Sequence, residues 1–199
     1  MKNLLFILIG FIAFSACKAK KAEENTTKAP ATEQNTLKDY VITDLPGSEY
    51  KLAKYKNPEK KITDVGHILN GKKIGAWFTF YEDGRVLSVR NYIDDKIEGY
   101  FISMDPIGRV VQQIEYKNNY ADGLATLYEG RRKVSETTYK QGKKDGIMRE
   151  FGDANILQKE SSFKADSLDG PMKFYNDEAK VTAEFEYKNG KKVGGGITK

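Results

Sequence analysis

Cysteine, histidine and tryptophan are nearly missing from this 199-residue chain, which holds one of each. A single cysteine, Cys17, excludes an intrachain disulfide. With His67 as the only histidine, a Cys/His metal site lacks the three or four ligands it needs. Proline is sparse at five residues, against 18 glycines. That balance suits many tight turns joined by pairing strands. No segment sustains a 3.6-residue apolar period between its turn residues, so helix is disfavoured. A concentrated basic face is missing too. The net charge of +5 comes from 33 Lys and Arg closely interleaved with 28 Asp and Glu, so a nucleic-acid footprint is not expected. Apolar residues at 39%, with aromatics at 12%, suffice for one core.

Met1, Lys2 and Asn3 precede an apolar run from Leu4 to Phe14, and the small residues Ser15 and Ala16 follow. These are the parts of a secretory signal. The run is too short to span a bilayer, which takes about 20 residues. Phe14-Ser15-Ala16-Cys17 resembles a bacterial lipobox, with Phe where Leu is usual. The resemblance implies acylation of Cys17 and cleavage before it; an ordinary signal leaving a free cysteine is the alternative. Lys18, in place of Asp, implies sorting to an outer membrane. Residues 18–36 hold no aromatic or large aliphatic residue and cannot offset chain entropy by burial. They read as a tether reaching about 25 Å. Leu37, Tyr40, Val41 and Ile42 are expected to make the first contact with the folded part, and Leu45-Pro46-Gly47 reads as a boundary turn. The expected organisation is a signal at 1–16, lipidated Cys17 and linker at 17–46, a repeat array at 47–194, and a flexible tail at 195–199.

The array is written in its glycines. Gly75, Gly99, Gly123, Gly146, Gly170 and Gly194 are spaced by 24, 24, 23, 24 and 24 residues. Seven residues before each stand Ile68, Tyr92, Tyr116, Tyr139, Phe163 and Tyr187. Four before stand Gly71, Asp95, Asn119, Gly142, Asp166 and Gly190, residues that tolerate positive φ. Five after lie Phe80, Met104, Tyr128, Phe151 and Tyr175; eleven after lie Val86, Val110, Val134, Leu157 and Val181. Polar turns such as Glu82-Asp83-Gly84 separate these two sets. Each unit therefore predicts two strands and two turns, and the whole predicts an all-β, elongated antiparallel meander of hairpins of roughly 24 residues. A degenerate first unit is expected at 51–74, with Lys51 at the pivot, and one residue is missing near Gly130. The aromatic seven residues before each pivot glycine is expected to cover its bare backbone.

Gly75-Ala-Trp-Phe-Thr-Phe-Tyr-Glu-Asp-Gly-Arg and Tyr187-Lys-Asn-Gly-Lys-Lys-Val-Gly194 resemble the MORN-repeat family, most closely its bacterial variant form, over about 51–194. The resemblance implies a repeat sheet, and functions ranging over scaffolding, membrane association and antitoxin-like neutralisation of a toxin. Later units depart from the pattern: Asn155 and Ala179 stand near the mid-unit turn glycine.

No catalytic residue, cofactor or metal site is read from the chain. His67 has Asp64 and Ser88 in the sequence around it, but no motif ties them together. Asp94, Asp95 and Glu98, or Asp166 and Asp169, suggest calcium; turn chemistry explains them better. Trp77, Phe78 and Phe101 form a candidate partner-binding surface. Lys72, Lys73, Lys143, Lys144, Lys191 and Lys192 follow the turns as a candidate rim for anionic surfaces; the plainer reading is solubilising edge charge. The expected function is a non-catalytic, lipid-anchored envelope protein that binds another protein. An antitoxin-like role and anionic-lipid binding are the alternatives.

Overall fold

The computed structural model describes residues 37–198. The expected signal, Cys17 and most of the linker lie outside the described residues. A 3₁₀ turn at Leu37–Asp39 leads into β1 (Val41–Asp44), β2 (Lys51–Lys56), β3 (Ile62–Leu69), β4 (Lys72–Phe80) and β5 (Val86–Ile93). Then come β6 (Lys96–Met104), β7 (Val110–Lys117), β8 (Tyr120–Glu129), β9 (Arg132–Lys140) and β10 (Lys143–Phe151). A 3₁₀ turn at Asp153–Asn155 precedes β11 (Leu157–Lys164), β12 (Ser167–Tyr175), β13 (Val181–Lys188) and β14 (Lys191–Ile197). The strands form one open antiparallel sheet in sequential order. The sheet exceeds the expected array at both ends. β1 precedes position 47, and β14 pairs with β13 as far as Ile197, inside the expected tail.

Two turn types alternate, one along each rim. The first has positive φ at both central residues: Asn70-Gly71, Asp94-Asp95, Asn118-Asn119, Gln141-Gly142, Ala165-Asp166 and Asn189-Gly190. That is the type I′ hairpin, whose twist matches that of the strands it joins. The opposite rim carries three-residue loops closed by a left-handed residue. Gly108 (φ 81°) does this in the loop where Asp105 N–H donates to the Arg109 carbonyl at 2.8 Å. Asn155 and Ala179 take the same conformation (φ 58° and 59°), in agreement with their alignment to the turn glycine. At Gly130 the loop is shorter and Glu129 pairs directly with Arg132, which locates the missing residue.

The pivot glycines do a different job from the one expected. Gly75 lies where the register between β3 and β4 jumps from Val65–Phe78 to His67–Ile74, a bulge. Its cross-strand partner is Tyr92 of the following strand, not Ile68. Gly99–Tyr116, Gly123–Tyr139, Gly146–Phe163 and Gly170–Tyr187 repeat this pairing. These five glycines have φ between 63° and 130°. A Cβ at Gly75 or Gly99 would meet nothing within 4 Å, so the bulge's backbone, rather than ring cover, requires glycine. Gly194 lacks positive φ, which passes to Gly195 (89°). The glycine that a ring does cover is Gly66, pressed against the Trp77 indole.

Alternation assigns the two faces. The inner face, carrying Trp77, holds a continuous cross-strand row: Ala53, Gly66, Trp77, Arg90, Phe101, Ile114, Ala125, Thr137, Met148, Ser161, Met172, Phe185 and Gly195. The buried apolar core lies along this face and runs from Tyr40 to Tyr139. Leu37 and Tyr40 cover its beginning.

Candidate functional site

The type I′ turns stack along one rim. Asp95 N–H donates to the Lys73 carbonyl at 3.0 Å while its carboxylate accepts from Lys73 N–H at 2.7 Å. Asn119 holds Ile97 and Asp166 holds Lys144 in the same way. A second carboxylate, one residue before the pivot, accepts from the next turn. Glu98 takes Asn118 N–H at 2.8 Å, and Asp169 takes Asn189 N–H at 3.2 Å. Of the acidic residues that suggested calcium, Asp95, Glu98, Asp166 and Asp169 thus serve backbone donors, while Asp94 faces Lys72. No cluster of three or more His, Cys, Asp and Glu forms among the described residues. His67 is exposed, three positions from Asp64 on β3, so the two point to opposite faces. The Ser88 hydroxyl is engaged with Thr79 Oγ1 at 2.6 Å. No nucleophile–base–acid arrangement is assembled from these three.

The six lysines of the expected rim divide between the faces. Lys72, Lys143 and Lys191 are exposed, and Lys72 stands 3.8 Å from Asp94. The ammonium groups of Lys73, Lys144 and Lys192 stand over rings, with Lys73 and Lys144 half-buried and Lys192 still exposed. Lys73 is 4.3 Å from the centre of Trp77, Lys144 is 5.3 Å from Phe163, and Lys192 is 3.7 Å from Phe185. Burial lowers the pKa of Lys73, because water no longer stabilises the cation.

Trp77 and Phe101 are core residues, 1% and 5% exposed, and are not available to a partner as the sequence suggested. The Trp77 indole N–H donates to the carbonyls of His67 (3.1 Å) and Ile74 (3.2 Å). Tyr40 and Tyr92 meet it edge-on at 5.6 and 5.8 Å. The Tyr40 hydroxyl donates to Asp64, and burial with that bond raises its pKa. Phe101 packs edge-on against Tyr116 at 6.3 Å, below the Arg90 guanidinium. Burial pushes the Tyr116 hydroxyl up to about 12.

Phe78 alone of the three candidates faces outward, 37% exposed. Across the sheet it is in register with Val65, Val89 and Ile102, an apolar row on the outer face of the early units. The same row later becomes Glu136, Arg149, Glu160, Lys173 and Glu184. There Arg149 and Glu160 pair at 2.9 Å, and Lys173 and Glu184 at 3.7 Å. The outer face therefore has one apolar end and one self-neutralised end.

A second feature was not legible as a site. On the inner face of the later units a groove of about 580 Å³ opens between β8 and β12. Its walls include Tyr139, Met148, Phe163 and Met172, and Ser161 belongs to its lining. No protein-family model matches this sequence, and no curated protein matches it.

Proposed function

We propose that the chain is an exported, lipid-anchored module of the cell envelope whose sheet holds another protein. The supporting observation is the apolar outer row Val65–Phe78–Val89–Ile102 on a single-layer sheet, opposite an inner face that the chain's own rings fill in these early units. The signal-like start and the lipobox-like Cys17 support the address; the MORN-like repeat supports binding over chemistry. An antitoxin-like role is one form of the same reading, with a toxin as partner. Anionic-lipid contact through the lysine rim gains less support, since Lys73, Lys144 and Lys192 sit over rings. The test is a pulldown with the mature protein from its own envelope, wild type against Phe78→Asp. A stoichiometric protein captured by the wild type and lost with Phe78→Asp is expected. Equal capture by both, or salt-sensitive liposome binding with no protein captured, would overturn the reading. Cys17→Ser should yield unprocessed or shed protein; unchanged processing and membrane retention would remove the anchor from the proposal.

A further inference from the structure

At the start of the sheet the inner face accepts a tyrosine. Tyr40, just ahead of β1, is 7% exposed. Its ring lies 5.6 Å from those of Tyr55 and Trp77, with the Lys73 ammonium 5.2 Å from its centre, and its hydroxyl bonds Asp64. Lys73 at the same time stands 5.5 Å from the Tyr92 ring. These five positions recur three units later. Tyr55 corresponds to Leu127 (72 residues on); Asp64, Lys73, Trp77 and Tyr92 correspond to Ser135, Lys144, Met148 and Phe163 (71 residues on). The difference of one is the residue missing at Gly130.

All five of the later residues line the open groove. The lysine keeps its posture, since Lys144 Nζ stands 5.3 Å from the Phe163 ring. Ser161, also in the lining, is 1% exposed, and its hydroxyl has no hydrogen-bond partner. Such a buried hydroxyl is unfavourable and would be relieved by a polar atom brought into the groove. What differs is the occupant. No described segment of the chain enters the groove, and residues 18–36 contain no aromatic residue that could fill it.

We propose that this groove binds a tyrosine side chain presented by an extended segment of a partner polypeptide, as the first site binds Tyr40 in cis. The chemistry suits that guest. Met148 and Met172 offer polarizable, adaptable contacts to a ring. Lys144 supplies a cation for its face. Ser135 and Ser161 offer hydroxyls to the phenol. The inference rests on the reading of the chain as a protein-binding module and names what it recognises in the partner.

The mature chain carries three methionines, Met104, Met148 and Met172, so methyl-labelled methionine gives two reporters in the groove and one outside it. The probe is a synthetic peptide of the chain's own residues 36–45, Thr-Leu-Lys-Asp-Tyr-Val-Ile-Thr-Asp-Leu. Saturable shifts of the Met148 and Met172 methyl signals with Met104 still are expected, with at least about tenfold weaker binding when the peptide's tyrosine is replaced by leucine. No shift up to about 1 mM peptide, equal binding of the leucine peptide, or an equal shift at Met104 would each overturn the proposal. The titration does not involve the outer face, so its failure leaves the Phe78 pulldown to stand or fall alone.

Discussion

Gly66→Ala should be among the costliest one-carbon changes in the chain. A Cβ at this position falls inside the Trp77 indole, far within the ordinary contact distance of about 3.5 Å. The indole has little room to yield. It is 1% exposed, its N–H is held by two carbonyls, and Tyr40 and Tyr92 flank it. Overpacking of this kind costs about 1–3 kcal/mol. Displacing the indole N–H from its acceptors adds roughly 0.5–1.5 kcal/mol. Gly66 has no positive φ, so the new methyl brings no backbone strain, and removing a strand glycine returns about 0.5–1 kcal/mol. The net loss should be about 2 kcal/mol. Trp77→Ala alone should cost about 3–5 kcal/mol. In that background Gly66→Ala should be neutral or slightly stabilising, giving a coupling of about 2 kcal/mol where independent sites add within about 0.5. Urea melts of the two single variants and the double variant measure this. Trp77 is the only tryptophan, so its emission should also shift to the red in Gly66→Ala. A cost under about 0.5 kcal/mol, or the same cost with and without the indole, would refute the claim that Gly66 exists to receive the ring.

Backbone handedness gives a prediction of both signs. Gly99→Ala (φ 82°, open space around the Cβ) should lose about 1–2 kcal/mol from left-handed strain, Gly194→Ala should be near neutral, and Ala165→Gly (φ 47°) should gain up to about 1 kcal/mol. Equal effects at Gly99 and Gly194 in urea melts would contradict it. Alkaline pH should destabilise the sheet. The hydroxyls of Tyr40, Tyr92 and Tyr116 titrate above their usual range because they are buried, so their contribution is intact below about pH 10 and fades as pH rises through the folded values. Lys73, shifted down, acts in the opposite direction but is a single group. For Tyr116, raised from 10.0 to about 12, the full loss is about 2–3 kcal/mol. Tyr116→Phe should therefore flatten stability between about pH 10 and pH 12, with no loss at neutral pH, since the hydroxyl has no partner. An unchanged alkaline slope would remove Tyr116 as its source.

The repeat was legible because its signals are backbone signals. Glycine, Asn and Asp at fixed offsets mark left-handed positions, and these survive while side chains drift. Even the one-residue deletion at Gly130 could be placed. Facing was misjudged where single units were read alone. Trp77 and Phe78 are neighbours on one strand, so they cannot share a face. Comparing units supplies the missing phase. Two residues after each pivot stand Trp77, Phe101, Ala125, Met148 and Met172; three after stand Phe78, Ile102, Thr126, Arg149 and Lys173. Only the second series turns charged, so it marks the outer face. The lysines misled for a related reason. The position two before the pivot reads Lys73, Ile97, Ala121, Lys144, Leu168 and Lys192. Mixing lysine with aliphatics at one position is what an inward site produces when a long stem lies on apolar surface and its ammonium finds a ring.

Size is matched across strands along the inner row, which makes the units unequal. Gly66 receives Trp77, Ala125 stands beside Ile114, Ser161 sits between Met148 and Met172, and Gly195 faces Phe185. At these places a bulky side chain is answered by a small residue on a neighbouring strand, and these positions cannot be exchanged between units without clashes or voids. The match is tightest where Tyr40 and Leu37 close the face, and it loosens beyond Tyr139. There β10 and β12 carry no fully buried residue, and β14 is largely exposed. In a stacked array each unit is supported only by its neighbours, so the more loosely packed end should open first. That end also carries the groove, whose thioether floor in place of an indole leaves room for a guest. A lower local stability there and a capacity to admit a side chain have one cause: Met148 and Met172 occupy the positions where Trp77 and Phe101 fill the first half.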